Sequence, residues 1–134
     1  MSKKVLIVDD DPEFVETSEI ILRAHGYETL SANNGDEAFK ILKSEIPDII
    51  LLDIMMKTKG EGLWVSEKLK ADKNFRGIPI LMITAVNQDA DMSKFHIDPS
   101  IDQEYLPVDG FLQKPIEPDE LVQEIERIIG DKVS

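Results

Sequence analysis

The sequence predicts an α/β protein in which a parallel β-sheet is covered by helices on both faces. Short apolar runs rich in β-branched residues alternate with segments of helical spacing along the chain. Most of the longer runs are apolar throughout, which is typical of strands buried on both faces. Gly and Pro residues separate many of these segments, so the strands and helices have recognisable ends.

The apolar runs predict a sheet of five strands. The first run leads directly into a pair of Asp residues, the third into a single Asp, and the fourth into Thr84. The second and fifth runs are short, and the fifth comes only after a long polar stretch. The predicted ranges of the five strands are 4–8, 28–32, 48–52, 78–83 and 110–113.

The first predicted helix follows Asp11-Pro12, because a capping Asp before a proline is a common helix start. The helix is expected to stop near Gly26. One face of this helix carries Phe14, Ser18, Ile21 and Leu22.

Three further segments have helical spacing. The second helix follows a predicted turn at 33–35, and the third follows a glycine-bearing loop at 57–62. The last helix has the clearest apolar stripe. Residues 84–109 interrupt the alternation, because they are polar and include Pro99 and Pro107. We therefore expect the helix between strands four and five to be short or irregular.

Composition and charge restrict the function. The 134 residues suit one domain, 1–134, and the formal net charge of -12 disfavours direct contact with nucleic acid. There is no Cys, which excludes disulfides and thiolate metal sites. No apolar run reaches the length of a membrane span, so we expect a cytoplasmic protein without membrane insertion.

Polar side chains follow four of the predicted strands. Asp9-Asp10 follows strand one, Asp53 strand three, Thr84 strand four and Lys114 strand five. Ligands of open parallel sheets bind beyond the carboxyl ends of the strands, so these residues form the candidate site. Two carboxylates about 4 Å apart repel by roughly 4 kcal/mol at a surface-like dielectric, so the acids should hold a proton or a cation. An all-oxygen site suits Mg²⁺, and the lysine suits a phosphate.

Four segments follow one another in a recognisable order: 5–10 (VLIVDD), 48–53 (DIILLD), 82–85 (MITA) and 111–115 (FLQKP). They resemble the signature blocks of response-regulator receiver domains, and the resemblance covers essentially the whole chain. It implies two-component signalling by a flavodoxin-like fold with strand order 2-1-3-4-5, similar to stand-alone regulators of the chemotaxis type. The sequence departs from the family at 107–109, where Pro-Val-Asp replaces a pair of small residues.

The resemblance implies a phosphoacceptor and a magnesium site. Asp53 is then the residue that receives the phosphoryl group. Asp10 and Asp53 would bind Mg²⁺ through their side chains, Met55 through its backbone carbonyl, and Asp9 largely through water. These assignments agree with the carboxylate-rich site predicted from the strand ends.

The resemblance also implies the response to phosphorylation. Thr84 and Lys114 would bind phosphoryl oxygens, and Phe111 matches an aromatic residue whose rotamer follows the threonine. The phosphoryl group would come from a sensor histidine kinase or a histidine phosphotransfer protein. Because the last predicted helix lies close to the end of the chain, we expect output through a downstream protein target or through onward transfer to a histidine phosphotransfer protein. The sequence is equally compatible with a piece of a longer protein.

Two other function classes compete with this interpretation. The first is a magnesium-dependent phosphohydrolase with an Asp nucleophile. Such enzymes of the haloacid-dehalogenase type usually have a second acid two residues after the nucleophile, where this chain has Met55, and place the nucleophile on their first strand rather than on the third. A non-phosphorylated pseudo-receiver scaffold would not need the complete acidic, Thr and Lys set. We therefore expect no enzyme activity beyond self-catalysed phosphorylation and slow dephosphorylation. Asp11 is interpreted as a helix cap, and His25 and His96 are not expected to bind metal.

Overall fold

The computed structural model describes residues 3–54, 61–85 and 108–130, and these ranges contain a five-stranded sheet and four helices. The strands are β1 (Lys4–Val8), β2 (Glu28–Ala32), β3 (Ile49–Asp53), β4 (Ile80–Ala85) and β5 (Gly110–Lys114). The helices are α1 (Pro12–Ala24), α2 (Gly35–Leu42), α3 (Glu61–Ala71) and α4 (Pro118–Ile129). The irregular helix predicted within 84–109 falls almost entirely outside the described residues.

The sheet is parallel throughout and has the order β2-β1-β3-β4-β5, which confirms the predicted flavodoxin-like topology. The bounds of β1 and β2 agree with the prediction, whereas β4 begins two residues later than predicted. Two local features explain the late start. The Ile78 backbone N–H donates to the Phe75 carbonyl at 2.9 Å within a turn, and Pro79 has no N–H to donate to a strand.

Helices cover both faces of the sheet, as predicted. One core layer packs α2 and α3 against alternate residues of β1, β3 and β4, including Leu6, Ile50 and Met82. The other layer packs α1 and α4 against the intervening residues of the same strands, including Ile7 and Leu51. The period-two alternation of a strand divides its side chains between these layers. As a result, β1, β3 and β4 are buried on both faces.

Side-chain caps define the starts of the first two helices. The Glu13 backbone N–H donates to Asp11 Oδ1 at 3.1 Å, which confirms Asp11 as the N-cap of α1. The turn predicted at 33–35 covers only 33–34 in the structure, because Asn34 is the N-cap of α2 and Gly35 its first residue. The Glu37 N–H donates to Asn34 Oδ1 at 2.9 Å, and Glu37 in turn accepts from the Asn33 N–H at 2.7 Å. These two bonds satisfy two backbone N–H groups at the start of α2.

Gly62 lies in the first turn of α3, where a loop up to residue 62 was predicted. A Cβ on Gly62 would lie 2.6 Å from both the Asp53 carbonyl oxygen and Ile54 Cα. The start of α3 therefore rests directly on the main chain at the end of β3. The helix can begin there because glycine has no side chain to separate the two backbones.

The edge of the sheet opposite the carboxyl ends is tied together by Asp109. Asp109 Oδ2 accepts from the Ile80 backbone N–H at 2.8 Å, and Lys70 Nζ lies 3.8 Å from the same oxygen. Lys70 also donates to the Arg76 and Ile78 carbonyls, each at 3.1 Å. Asp109, one of the residues that depart from the family pattern, thus joins the starts of β4 and β5 to α3.

Among the described residues, no helix combines the length and apolar character of a membrane span.

Candidate functional site

Three carboxylates meet at the carboxyl edge of the sheet. Ligand atoms of Asp9, Asp10 and Asp53 all lie within 4.8 Å of one another. Asp9 and Asp53 are only 1% and 3% exposed, while Asp10 is partly buried. Two unit charges 4.8 Å apart repel by about 3.5 kcal/mol at an effective dielectric of about 20. The cluster therefore has a strong electrostatic preference for a cation.

The neighbouring strands β1 and β3 place these acids. Asp9 follows Val8, which pairs with Leu52 one residue before Asp53. The Asp9 backbone N–H donates to the Ala32 carbonyl at 3.0 Å, and the Ile54 N–H donates to the Ile83 carbonyl at 2.9 Å. These hydrogen bonds continue the strand ladders past both acidic side chains. The backbone beside the cluster is therefore fixed by hydrogen bonds of the same kind as those between the strands.

Lys114 supplies the positive charge of the site. Its Nζ lies 3.0 Å from Asp9 Oδ2 and 3.9 Å from Asp53 Oδ2, and its side chain is 20% exposed. Asp9 is therefore the closer partner, although Asp53 was predicted to be the centre of the chemistry. With three carboxylates around one ammonium, the formal charge of the cluster is still negative by two. This excess leaves a divalent cation favourable beside the lysine.

Asp9 is held by two donors. Its Oδ1 accepts from the Asp11 backbone N–H at 2.9 Å, and its Oδ2 accepts from Lys114 at 3.0 Å. A carboxylate whose two oxygens both have donors is fixed in orientation. Asp9 is consequently the positional anchor of Lys114 in this structure.

Thr84 and Phe111 lie on the face of the sheet that α2 and α3 cover. Thr84 is fully buried, and its Oγ1 donates to the Leu112 carbonyl at 3.4 Å, which is long for a hydroxyl hydrogen bond. It comes one residue after Ile83, the pairing partner of Asp53. Phe111 packs on the core layer that contains Met82, and strand alternation puts Thr84 on the same face. The two predicted switch residues therefore share one side of the sheet.

The remaining candidates divide between structural roles and the undescribed ranges. His25 is the C-cap of α1, and its Nδ1 lies 2.9 Å from the Ile21 carbonyl oxygen. Within the part of the chain that the structure describes, the only group of three or more potential metal ligands is the acidic cluster. Met55 and His96 lie outside the described residues.

Sequence reasoning did not assign Phe14 to the site. It placed Phe14 on the apolar face of the first helix, and the side chain does pack against the core layer formed with α1 and α4. The structure also puts Lys114 Nζ 4.3 Å from the centroid of the Phe14 ring. No pattern in the sequence distinguishes this aromatic from an ordinary core residue, because the contact joins positions 100 residues apart.

A comparison with protein families matches residues 5–126 to the response regulator receiver domain. The polar-differentiation response regulator DivK of Brucella anthropi is 30% identical over 98% of this chain and 99% of its own length. The alkaline phosphatase synthesis transcriptional regulatory protein PhoP of Bacillus subtilis is 33% identical over 96% of this chain. The match covers 49% of PhoP, and the chain spans about half the length of the first transcriptional regulators that it matches.

The fold is similar to that of solved receiver domains. A CheY-like response regulator receiver domain protein from Methanospirillum hungatei superposes with a TM-score of 0.79 at 25% identity. The superposition covers 98% of this chain and 96% of that protein. The similarity therefore extends over the sheet, the helices and the edge that carries the acidic cluster.

Proposed function

The chain belongs to the response regulator receiver domain family, and we propose that Asp53 is its phosphoacceptor. The phosphoryl group would come from a phosphohistidine on a sensor histidine kinase or a histidine phosphotransfer protein. The observation that carries the proposal is the buried Asp53 carboxylate, which lies within 4.8 Å of two further carboxylates and 3.9 Å from the Lys114 ammonium. A carboxylate nucleophile beside a cation-binding cluster and a lysine is suited to phosphoryl transfer.

In the transfer, an Asp53 carboxylate oxygen attacks the phosphorus of the donor. The new P–O bond forms as the P–N bond to the donor imidazole breaks, and the bonding electron pair leaves with that nitrogen, which takes a proton from water. Lys114 can move its ammonium from Asp9 toward Asp53, because the two oxygens lie 3.0 Å and 3.9 Å from the same Nζ. Its charge then offsets the charge that the phosphoryl group brings.

The acidic cluster fits Mg²⁺. Its ligand atoms are all carboxylate oxygens and lie within 4.8 Å of one another, and Mg²⁺ prefers oxygen ligands. We infer that Asp10 and Asp53 would hold the ion through their side chains and that Asp9, already bound to Lys114, would act through water. When bound, the ion would neutralise phosphoryl oxygens during transfer. Met55, the expected backbone ligand, lies outside the described residues.

Thr84 and Phe111 would transmit the phosphorylated state. The Thr84 hydroxyl bond to Leu112 is 3.4 Å long, so little free energy is lost when the hydroxyl turns toward a phosphoryl oxygen. Movement of Thr84 would leave space on the face that it shares with Phe111, which could then change rotamer. Since Phe111 is partly buried, this change would alter the surface near β5. We propose that a downstream protein target recognises that surface in a cytoplasmic pathway, without direct contact between this chain and nucleic acid.

Acetyl phosphate tests the phosphoacceptor directly. With Mg²⁺ present, transfer of the phosphoryl group to Asp53 releases acetate and adds the mass of one phosphoryl group to the intact protein. Asp53→Asn should abolish the added mass. Asp11→Asn is the matched control, because Asn also caps helices and the acid lies beside the cluster without belonging to it. Undiminished labelling of the Asp53→Asn protein would refute the assignment.

The same experiment separates the competing functions. Rapid release of inorganic phosphate over many turnovers would favour a phosphohydrolase. Absence of label in a folded, Mg²⁺-bound protein would favour a pseudo-receiver scaffold. A slowly decaying label on Asp53 supports the receiver function.

The magnesium site is tested without phosphorylation. Mg²⁺ at about 100 times its Kd should stabilise the protein by about 2.7 kcal/mol if it binds only the folded state. Thermal unfolding of Asp10→Asn should show little of this gain, whereas Asp11→Asn should keep it. Equal losses in the two variants would show that the ion is not held by the acidic cluster.

A further inference from the structure

The Lys114 ammonium has an aromatic neighbour as well as its two carboxylates. The Phe14 ring centroid lies 4.3 Å from Nζ, with Asp9 Oδ2 at 3.0 Å and Asp53 Oδ2 at 3.9 Å. The side chain of Lys114 is 20% exposed, so these three groups provide much of its environment. An ammonium within about 6 Å of a ring centroid is attracted by the negative face of the ring.

We propose that Phe14 is a positioning residue for Lys114, holding the ammonium over the acidic cluster through a cation–π contact. The proposal rests on the proposed function, in which Lys114 binds the incoming phosphoryl group. In this role Phe14 acts on the reaction through Lys114, whose ammonium it contacts. The ring increases the fraction of molecules in which the Lys114 ammonium already lies beside the acidic cluster when the phosphoryl group arrives.

The Lys114 ammonium could also occupy a second position, away from the acidic cluster. A cavity of about 440 Å³ beside α1 and α4 is lined by Phe14, Lys114, Asp11 and Glu13, among others. Asp11 and Glu13 are exposed acids at this cavity. A long lysine side chain released from the ring could therefore turn outward toward these carboxylates and water. The Phe14 ring opposes that movement because it attracts the ammonium at its present position, 4.3 Å from the ring centroid.

An aliphatic residue would satisfy the packing of Phe14 but not this electrostatic role. Phe14 packs against the core layer formed with α1 and α4, and Leu would also fill much of that space. Only an aromatic ring has the quadrupole that attracts an ammonium. A merely structural Phe14 and a positioning Phe14 therefore differ in their response to changes in ring charge at constant shape.

Fluorinated phenylalanines at position 14 make this distinction. Mono-, di- and pentafluorinated rings keep nearly the same volume while the negative charge of the ring face falls step by step. We expect the rate of phosphoryl uptake from acetyl phosphate at saturating Mg²⁺ to fall at each step. The total decrease should be about five- to tenfold, as expected for a partly desolvated cation–π contact. Phe14→Leu should be similarly slow, and Phe14→Tyr should restore most of the rate.

Phe39 is the matched control. Its ring centroid lies 4.9 Å from Lys68 Nζ, so it makes a comparable cation–π contact, but it packs on the core layer opposite Phe14. The same fluorinated residues at position 39 should leave the rate of phosphoryl uptake unchanged. Equal slowing at both positions would overturn the proposal, because the effect would then follow from fluorination rather than from Lys114.

A spectroscopic measurement tests the contact without phosphorylation. The Phe14 ring should displace the Lys114 ε-methylene proton resonance upfield, and Phe14→Leu should return it to the position of an exposed lysine while Phe14→Tyr restores it. A resonance that is unaffected by Phe14→Leu would overturn the positioning role. If the parent protein takes up no phosphoryl group, the proposed function fails, and this resonance alone then decides whether Phe14 positions Lys114. If the parent is labelled but the fluorinated series is flat, the role of Phe14 fails while the phosphoacceptor stands.

Discussion

Replacement of Gly62 by Ala should damage the protein at the point where α3 meets the phosphoacceptor strand. The added Cβ would lie 2.6 Å from the Asp53 carbonyl oxygen and 2.6 Å from Ile54 Cα. Ordinary contact begins at 3.4 Å, so the new methyl is too close by about 0.8 Å. Both obstacles are main-chain atoms beside a buried central strand, and neither can swing away as the end of a side chain could. Relief requires the helix or the strand end to shift.

The size of the effect follows from two opposing terms. Overpacking in a dense core costs about 1–3 kcal/mol. Ala is favoured over Gly within a helix by up to about 1 kcal/mol, which offsets part of that cost. Because the clash involves backbone on a central strand, we expect a net loss of about 2 kcal/mol in the free energy of unfolding. The displaced Asp53 main chain should also slow phosphoryl uptake.

Urea unfolding at equilibrium measures this loss as a lower midpoint at an unchanged slope. Gly77→Ala is the matched control, since a Cβ there would meet nothing within 4 Å. It should leave stability unchanged or raise it by about 0.4–1 kcal/mol through the unfolded state. A Gly62→Ala protein as stable as the parent would refute the close approach of α3 to Asp53.

Three further predictions test other parts of the structure. Asp109→Ala removes the acceptor of the Ile80 N–H and should cost about 1–3 kcal/mol in urea unfolding, whereas Asp109→Asn should keep most of the stability; equal losses would contradict the hydrogen bond. Asn34→Ala should cost about 1 kcal/mol as the lost cap of α2, and Asn34→Asp should be nearly neutral by the same measurement. Asp10→Asn removes one of three clustered charges, so without Mg²⁺ the variant should have a higher thermal midpoint than the parent and a free energy of unfolding larger by about 1 kcal/mol or more. With Mg²⁺ the thermal midpoint of the variant should lie below that of the parent. An Asp10→Asn protein less stable than the parent in both conditions would show that repulsion is not the dominant effect of this residue.

The sequence by itself determined the fold class and the edge on which the site lies. Strand periodicity, helix caps and apolar stripes are local features, readable within one or two turns of chain, and they located all five strands. The carboxyl ends of parallel strands meet at one edge, so the residues after those strands were expected to lie together. The structure brings Asp9, Asp10, Asp53 and Lys114 together there. The extent of the domain, 1–134, stays a prediction.

Local patterns were less reliable where a segment was compatible with both a turn and the start of a helix. The Asn33-Asn34-Gly35 sequence was predicted to be a turn, and the structure makes it the start of a helix, where Asn34 and Glu37 supply acceptors for two backbone N–H groups. Gly62 was predicted to end a loop, and it lies within α3. Asparagine at 33–34 and glycine at 35 and 62 are compatible with both a turn and a helix start, and a neighbouring group selects between the two.

Only the tertiary structure decided how the side chains of the site share their partners. Lys114 lies closer to Asp9 than to Asp53, and Phe14 covers the same ammonium. These choices depend on differences of an ångström or less between groups that meet only after the sheet has formed. A periodic pattern specifies which face a residue occupies, but the distance between two residues far apart in the chain depends on the packing of every element between them.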